Sequence, residues 1–206
     1  MWVAEGFVNK NSRQTDEEAA NHYFTQLVDR SMIQAVTLFA RDVVKACKIH
    51  DLMRDITTHM IKQEKFGDIL EDGKKHIEER QRRLSICDNA QNVPSNMSKL
   101  NLRSFLMFRI SELSSSALKK IFAELKLVRV LDLQGVPIKH LPKEVGYLIH
   151  LRYLDLRGTL IENLPRSLKN LRNLQSFGCQ KHKRKKFTSR YQHASTAETS
   201  SYDKLL

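Results

Sequence analysis

Val128-Arg129-Val130-Leu131-Asp132-Leu133 returns as Leu151-Arg152-Tyr153-Leu154-Asp155-Leu156, and the residues around the two copies return with them. Leu125–Tyr147 laid over Leu148–Asn170 without a gap is identical at 9 of 23 positions: Leu, Arg, Leu, Asp, Leu, Gly, Ile, Leu and Pro. Ile138…Leu141-Pro142 and Ile161…Leu164-Pro165 follow the two cores at equal distances. Two unrelated amphipathic segments would not share so many landmarks, so the chain carries a true internal repeat.

Period and pattern match a leucine-rich repeat. Each core reads as a short strand, and because side chains on a strand alternate, Leu131/Leu133 and Leu154/Leu156 point to one interior. A third copy begins at Leu171, with Leu174-Gln175-Ser176-Phe177-Gly178-Cys179 in strand register, and the pattern fails after Cys179. An irregular earlier copy, Leu102-Arg103-Ser104-Phe105-Leu106-Met107, begins 26 residues before Val128. About four stacked coils are expected. With no coil expected after the third copy, Leu174 and Phe177 should form an exposed apolar edge. The slot that usually holds Asn or Cys for turn backbone groups is Val136 in one copy and Thr159 in the other; only Thr159 can bond through its side chain.

The remaining strand positions face outward in three columns: Ser104, Val130, Tyr153 and Ser176; Leu106, Asp132, Asp155 and Gly178; Phe108, Gln134, Arg157 and Gln180. Stacked coils merge them into one sheet face, which makes Val130, Asp132, Gln134, Tyr153, Asp155 and Arg157 the candidate protein-binding residues. Tyr and Arg are side chains that often anchor interfaces, and the Asp132/Asp155 pair suits a basic partner. A merely solvated sheet face is the plainer reading of any one position.

The first 75 residues follow a different grammar. Thr15-Asp16-Glu17-Glu18 is a capping box, and Ala20, Tyr23/Phe24 and Leu27/Val28 continue at helical spacing, which predicts a helix over roughly 15–30. Met32–Val36 and Val43–Ile49 read as strands around a short loop, and Leu52, Ile56 and Met60 mark another helix. This order suggests a winged helix.

Charge divides with the grammar. Residues 1–75 hold 11 Lys+Arg against 12 Asp+Glu, whereas residues 76–206 hold 24 against 11, so the formal +12 belongs to the second half. Residues 180–206 alone carry 7 basic and 2 acidic side chains around Lys181-His182-Lys183-Arg184-Lys185-Lys186, a run that reads as a disordered basic tail or a nuclear-targeting patch. A DNA-reading winged helix would concentrate positive charge on its recognition helix, but residues 50–64 carry Arg54 and Lys62 against Asp51, Asp55 and Glu64. That argues against nucleic acid as the partner.

No apolar run reaches the roughly 18 residues of a membrane span, and the start lacks signal-peptide order, so a cytoplasmic protein is expected, with the basic run as a nuclear address. Cys47, Cys87 and Cys179 form no C-x-x-C pair, and His22, His59, His76 and His140 have no ligand-type partners at metal spacing, so no metal is assigned. No G-x-x-x-x-G-K-[ST] and no nucleophile or carboxylate pair in a catalytic context is present, and no enzyme activity is expected.

Several segments in series resemble the plant intracellular nucleotide-binding leucine-rich-repeat disease resistance proteins of the coiled-coil class. Trp2–Val8 resembles a helix end in that family's winged helix, and Leu27–Gln34 its next helix-to-strand passage. Cys47-Lys48-Ile49-His50-Asp51-Leu52-Met53-Arg54-Asp55 resembles its Met-His-Asp segment, with Ile49 in place of Met; Arg82–Ile86 and Leu102–Phe105 resemble its approach to the repeats. The resemblance implies an ADP/ATP switch whose phosphate loop would lie upstream of Met1, and a His50 contact to the ADP phosphate with Asp51 orienting the turn. Residue chemistry alone makes Asp51 an ordinary helix N-cap and His50 a partly buried structural histidine.

The expected architecture is α/β: a partial winged-helix domain over 1–75, a linker over 76–98, a short leucine-rich-repeat solenoid over 99–179 and a basic tail over 180–206. The expected function is a truncated, immune receptor-like protein acting in defence through protein contacts of its repeats. A pathogen effector, a guarded host protein or the nucleotide-binding domain of an intact receptor would be the partner, and the chain alone would hold no cofactor tightly. The alternatives are the regulatory part of an ADP/ATP switch completed by another chain, and a winged-helix DNA binder.

Overall fold

The computed structural model describes residues 1–9, 13–37, 44–70, 77, 81–87 and 97–179. The basic tail, Gln180 and Val43 lie outside these residues. The chain divides into two compact units, Trp2–Phe66 and a repeat unit running from Gly67.

In the first unit, α1 (Trp2–Glu5) is followed by α2 (Asp16–Asp29), two strands, and α3 (Asp51–Gln63). The capping box forms: Thr15 Oγ1 accepts the Glu18 N–H at 3.2 Å while Glu18 accepts the Thr15 N–H at 2.8 Å. Two otherwise orphaned donors are thereby satisfied, and α2 starts where the sequence places it. Ser31, at φ 56°, turns the chain out of α2 into β1 (Ile33–Thr37), which pairs antiparallel with β2 (Val44–Ile49) from Ile33↔Ile49 inward. Trp2 lies 6.5 Å from Phe24 between ring centroids, and Phe7 stacks on Phe66 at 5.8 Å. α3 buries none of its residues, and its apolar positions Leu52, Ile56 and Met60 are all exposed. Helix, helix, two-stranded wing and helix make the winged-helix arrangement.

The second unit is built on one six-stranded sheet in sequential order: β3 (Asp68–Leu70), β4 (Arg83–Cys87), β5 (Ser104–Phe108), β6 (Val130–Asp132), β7 (Tyr153–Asp155) and β8 (Ser176–Gly178). Every pairing is parallel. The returns after β5, β6 and β7 hold α4 (Ser115–Glu124) and the 3₁₀ turns Lys143–Tyr147 and Arg166–Asn170. The repeat therefore begins two strands before the irregular copy at Leu102. The segment read as a linker supplies β4, with Ile77, Leu84 and Ile86 buried in the same core as Phe105, Leu131, Leu154 and Phe177. Gln81 stands where the other coils have a large apolar residue, which hides this coil from a leucine count.

The turns differ as their side chains require. Thr159 Oγ1 donates to the Leu156 carbonyl at 2.7 Å, whereas Val136 is buried without a side-chain bond and its N–H reaches Leu133 O at 3.1 Å. Gly135 and Gly158 make the bend possible at φ 74° and 72°, the left-handed region that glycine enters without a Cβ penalty. Phe177, expected at an exposed edge, is only 7% exposed, and Leu174 is half-buried against the core.

Candidate functional site

The ladder sets Ser104, Val130, Tyr153 and Ser176 in one row across the sheet, and Leu106, Asp132, Asp155 and Gly178 in the next. Strands about 4.8 Å apart make these rows continuous. Gln134 and Arg157 follow two residues after the aspartates, half-buried.

Three of the six candidate binding residues are not accessible as expected. Val130 is fully buried, Asp132 is 8% exposed and Asp155 1%. Val130 lies between its ladder partners Ser104, which is buried as well, and the larger Tyr153. Asp155 is covered by its own chain. Arg157 Nε donates to both carboxylate oxygens at 3.0 Å, the Arg157 backbone N–H donates to Oδ1 at 3.0 Å, and the Tyr153 hydroxyl donates to Oδ2 at 3.0 Å. Burial alone would raise the Asp155 carboxyl, but the Arg157 and Tyr153 donors hold it below the usual carboxylate range. The Tyr153 phenol moves up through burial and the neighbouring carboxylates, and the Cys179 thiol through burial and then Asp155. Asp132 has only the Gln134 N–H, at 3.0 Å, and burial pushes its carboxyl up.

One row escaped the sequence reading. Arg103 N–H donates to Arg82 O, Arg129 N–H to Arg103 O, and Arg152 N–H to Arg129 O, at 2.6–2.7 Å. Arg82, Arg103, Arg129 and Arg152 therefore occupy one position in four successive coils, just ahead of each strand. Arg82 is exposed and the others half-buried, and no carboxylate of the described residues pairs with their side chains. Arg103, Arg129 and Arg152 share one position in the aligned copies; Arg82 joins them only once β4 is known.

In the first unit His50, not Asp51, takes the N-cap position of α3, and its side chain makes no capping bond. It is exposed rather than partly buried. Asp51 is the first helical residue and pairs with Arg54 at 3.2 Å on the surface. An exposed imidazole donor beside unpaired helix N–H groups fits a single phosphate contact. It does not make a cradle by itself, and Asp51 beside it carries the repelling charge. Among the described residues no His/Cys/Asp/Glu group suits a metal, and no helix is long and apolar enough to cross a membrane.

Residues 1–57 match the family model described as the disease resistance protein winged helix domain, and residues 101–191 match a leucine-rich repeat region. Among curated relatives from Arabidopsis thaliana, putative disease resistance RPP13-like protein 3 is 32% identical over 85% of this chain and 21% of its own length. Disease resistance protein RPP8 is 32% identical over 84% of this chain and 20% of its own, and disease resistance protein RPP13 is 34% identical over 73% and 18%. The chain thus spans about a fifth of the length of the curated relatives it matches. Its winged-helix and leucine-rich-repeat regions are those of the plant disease resistance proteins.

Proposed function

We propose that this chain, whose two regions are those of plant disease resistance proteins, acts in defence through protein contacts made by its repeat unit. The observation that carries this reading is the row Arg82, Arg103, Arg129 and Arg152: four guanidinium groups, unpaired by any described carboxylate, one residue ahead of four successive strands of a parallel sheet. Long basic side chains placed at the sheet's repeat distance and left without acidic neighbours are suited to an acidic protein surface. Half-exposed Arg157 and Tyr153, already held in place by Asp155, are the accessible candidates on the outward strand face itself. A pathogen effector, a guarded host protein or another receptor domain are the partner classes for it.

Fluorescence anisotropy with labelled poly-L-glutamate tests the charge chemistry. Replacing Arg103, Arg129 and Arg152 together by Gln should weaken binding at least about tenfold at low salt, and added salt should weaken the wild type toward the variant. Expression of both forms in leaf tissue tests the biology: the wild type should alter the defence response and the triple variant should not. Equal poly-glutamate binding by the two forms would overturn the role given to the row.

A second reading, regulation by ADP or ATP bound with another chain, is favoured by the exposed, unbonded His50 ring at the start of α3. The chain's own contribution would be that imidazole donor to a phosphate oxygen. Calorimetry with ADP, for wild type and His50→Ala in the presence of a nucleotide-binding domain from a relative, tests it; unchanged affinity would remove His50 from the site.

A further inference from the structure

Asp132 and Asp155 are ladder partners in adjacent coils, so each neighbour of one has a counterpart around the other. In the later coil the carboxylate is satisfied by its own chain: Arg157 supplies the guanidinium, Tyr153 a hydroxyl and the Arg157 backbone an N–H. In the earlier coil the corresponding positions hold Gln134 and Val130. Asp132 receives only the Gln134 N–H on Oδ1, its other oxygen receives no donor from the described residues, and the residue is 8% exposed. Arg157 of the next coil acts on this carboxylate only through space, and the second Asp132 oxygen stays open to solvent, so a cation that bonds that oxygen directly is favoured there.

We infer that Asp132 is the receptor for one arginine side chain of the protein partner, which completes in trans the carboxylate–guanidinium pair that Asp155 and Arg157 make in cis. The inference rests on the repeat face being a protein-docking surface. The neighbouring coil identifies the chemistry: a planar guanidinium offers two parallel N–H donors to a carboxylate, which a lone ammonium does not. The arginine row lies ahead of the strands and Asp132 at the end of β6. A matching partner therefore carries acidic groups on one side and a single arginine on the other.

The test follows the Asp132 side-chain carboxyl by ¹³C NMR in the full chain, titrated with N-acetyl-arginine amide and with its neutral isostere N-acetyl-citrulline amide. The arginine derivative should move the Asp132 signal saturably and the citrulline derivative should not. Asp132→Asn, which keeps an acceptor for the Gln134 N–H, should weaken the arginine interaction about tenfold, the loss expected for a charge-assisted bond. Gln134→Arg, which supplies the missing cation from the chain itself, should do the same. An equal response to both derivatives, or arginine binding unchanged in either variant, overturns the inference. Poly-glutamate binding to the arginine row is read separately, so its survival under that outcome would leave the docking surface standing.

Discussion

Arg157 clamps Asp155 within a span of two residues, its Nε 3.0 Å from both oxygens of a carboxylate that is almost wholly buried. A Cβ on the next ladder residue, Gly178, would lie 2.6 Å from Asp155 Oδ1, so the absence of a side chain there leaves room for the clamp. The pair is thus both a fixture of the sheet and the means by which Arg157 is presented on its face.

Breaking the pair from the acid side should cost stability. Asp155→Asn is expected to lower the unfolding free energy by about 1–3 kcal/mol at pH 7, less than a fully buried pair would because Arg157 keeps access to water. The folded-state carboxyl lies below its unfolded value, so its contribution is present above the unfolded value and is lost as pH falls through the folded one. Urea melts at pH 7 and pH 3 should show the wild type and Asp155→Asn converging in acid.

Asp132 should behave oppositely. Burial holds its folded-state carboxyl above the unfolded value, so its favourable contribution is present below the unfolded value and is lost as pH rises through the folded one. Asp132→Asn is expected to be stabilising at pH 7 and to lose that advantage near pH 3. A thermal melt across pH reads the crossover; a destabilised variant at pH 7 would contradict it.

Gly158→Ala should destabilise the stack by about 1–2 kcal/mol. Its φ is 72°, and the added Cβ would meet Gly135 Cα and N at 3.2 Å. Gly6→Ala, at φ 81° with nothing within 4 Å, isolates the backbone part of the cost. Chemical denaturation should rank Gly158→Ala as the more damaging of the two.

Leu52→Gln on α3 should change stability by no more than about 0.5 kcal/mol, because Leu52 is 73% exposed and leaves no cavity. Calorimetric melting checks this; a loss of several degrees would show that Leu52 is packed in solution.

The copies at Val128 and Leu151 were legible because their leucines must reach one interior at a fixed period, and the capping box at Thr15 because two local bonds define it. The coils at β3 and β4 were not legible from the count of copies, since Gln81 replaces the leading apolar residue and a parallel ladder asks for no particular side chain. Periodicity also names which residues face outward without saying how far they project. Val130 and Asp155 share the outward parity of Tyr153, yet both finish buried, Asp155 because Tyr153 and Arg157 of its own coil close over it. The Asp155–Arg157 clamp had a signal in the sequence, a charge pair at i and i+2 on one strand face, which reads as attraction only once the strand is granted.

The sequential order β3 through β8 has a kinetic corollary. Each strand bonds only to strands of the preceding and following coils, so pairing closes loops of a few tens of residues, and structure can grow outward from whichever coil forms first. Fraying then proceeds inward from the ends. Amide hydrogen exchange should be slowest on β6, which lies inside the ladder with the largest buried run of side chains around it, and should quicken toward β3 and β8.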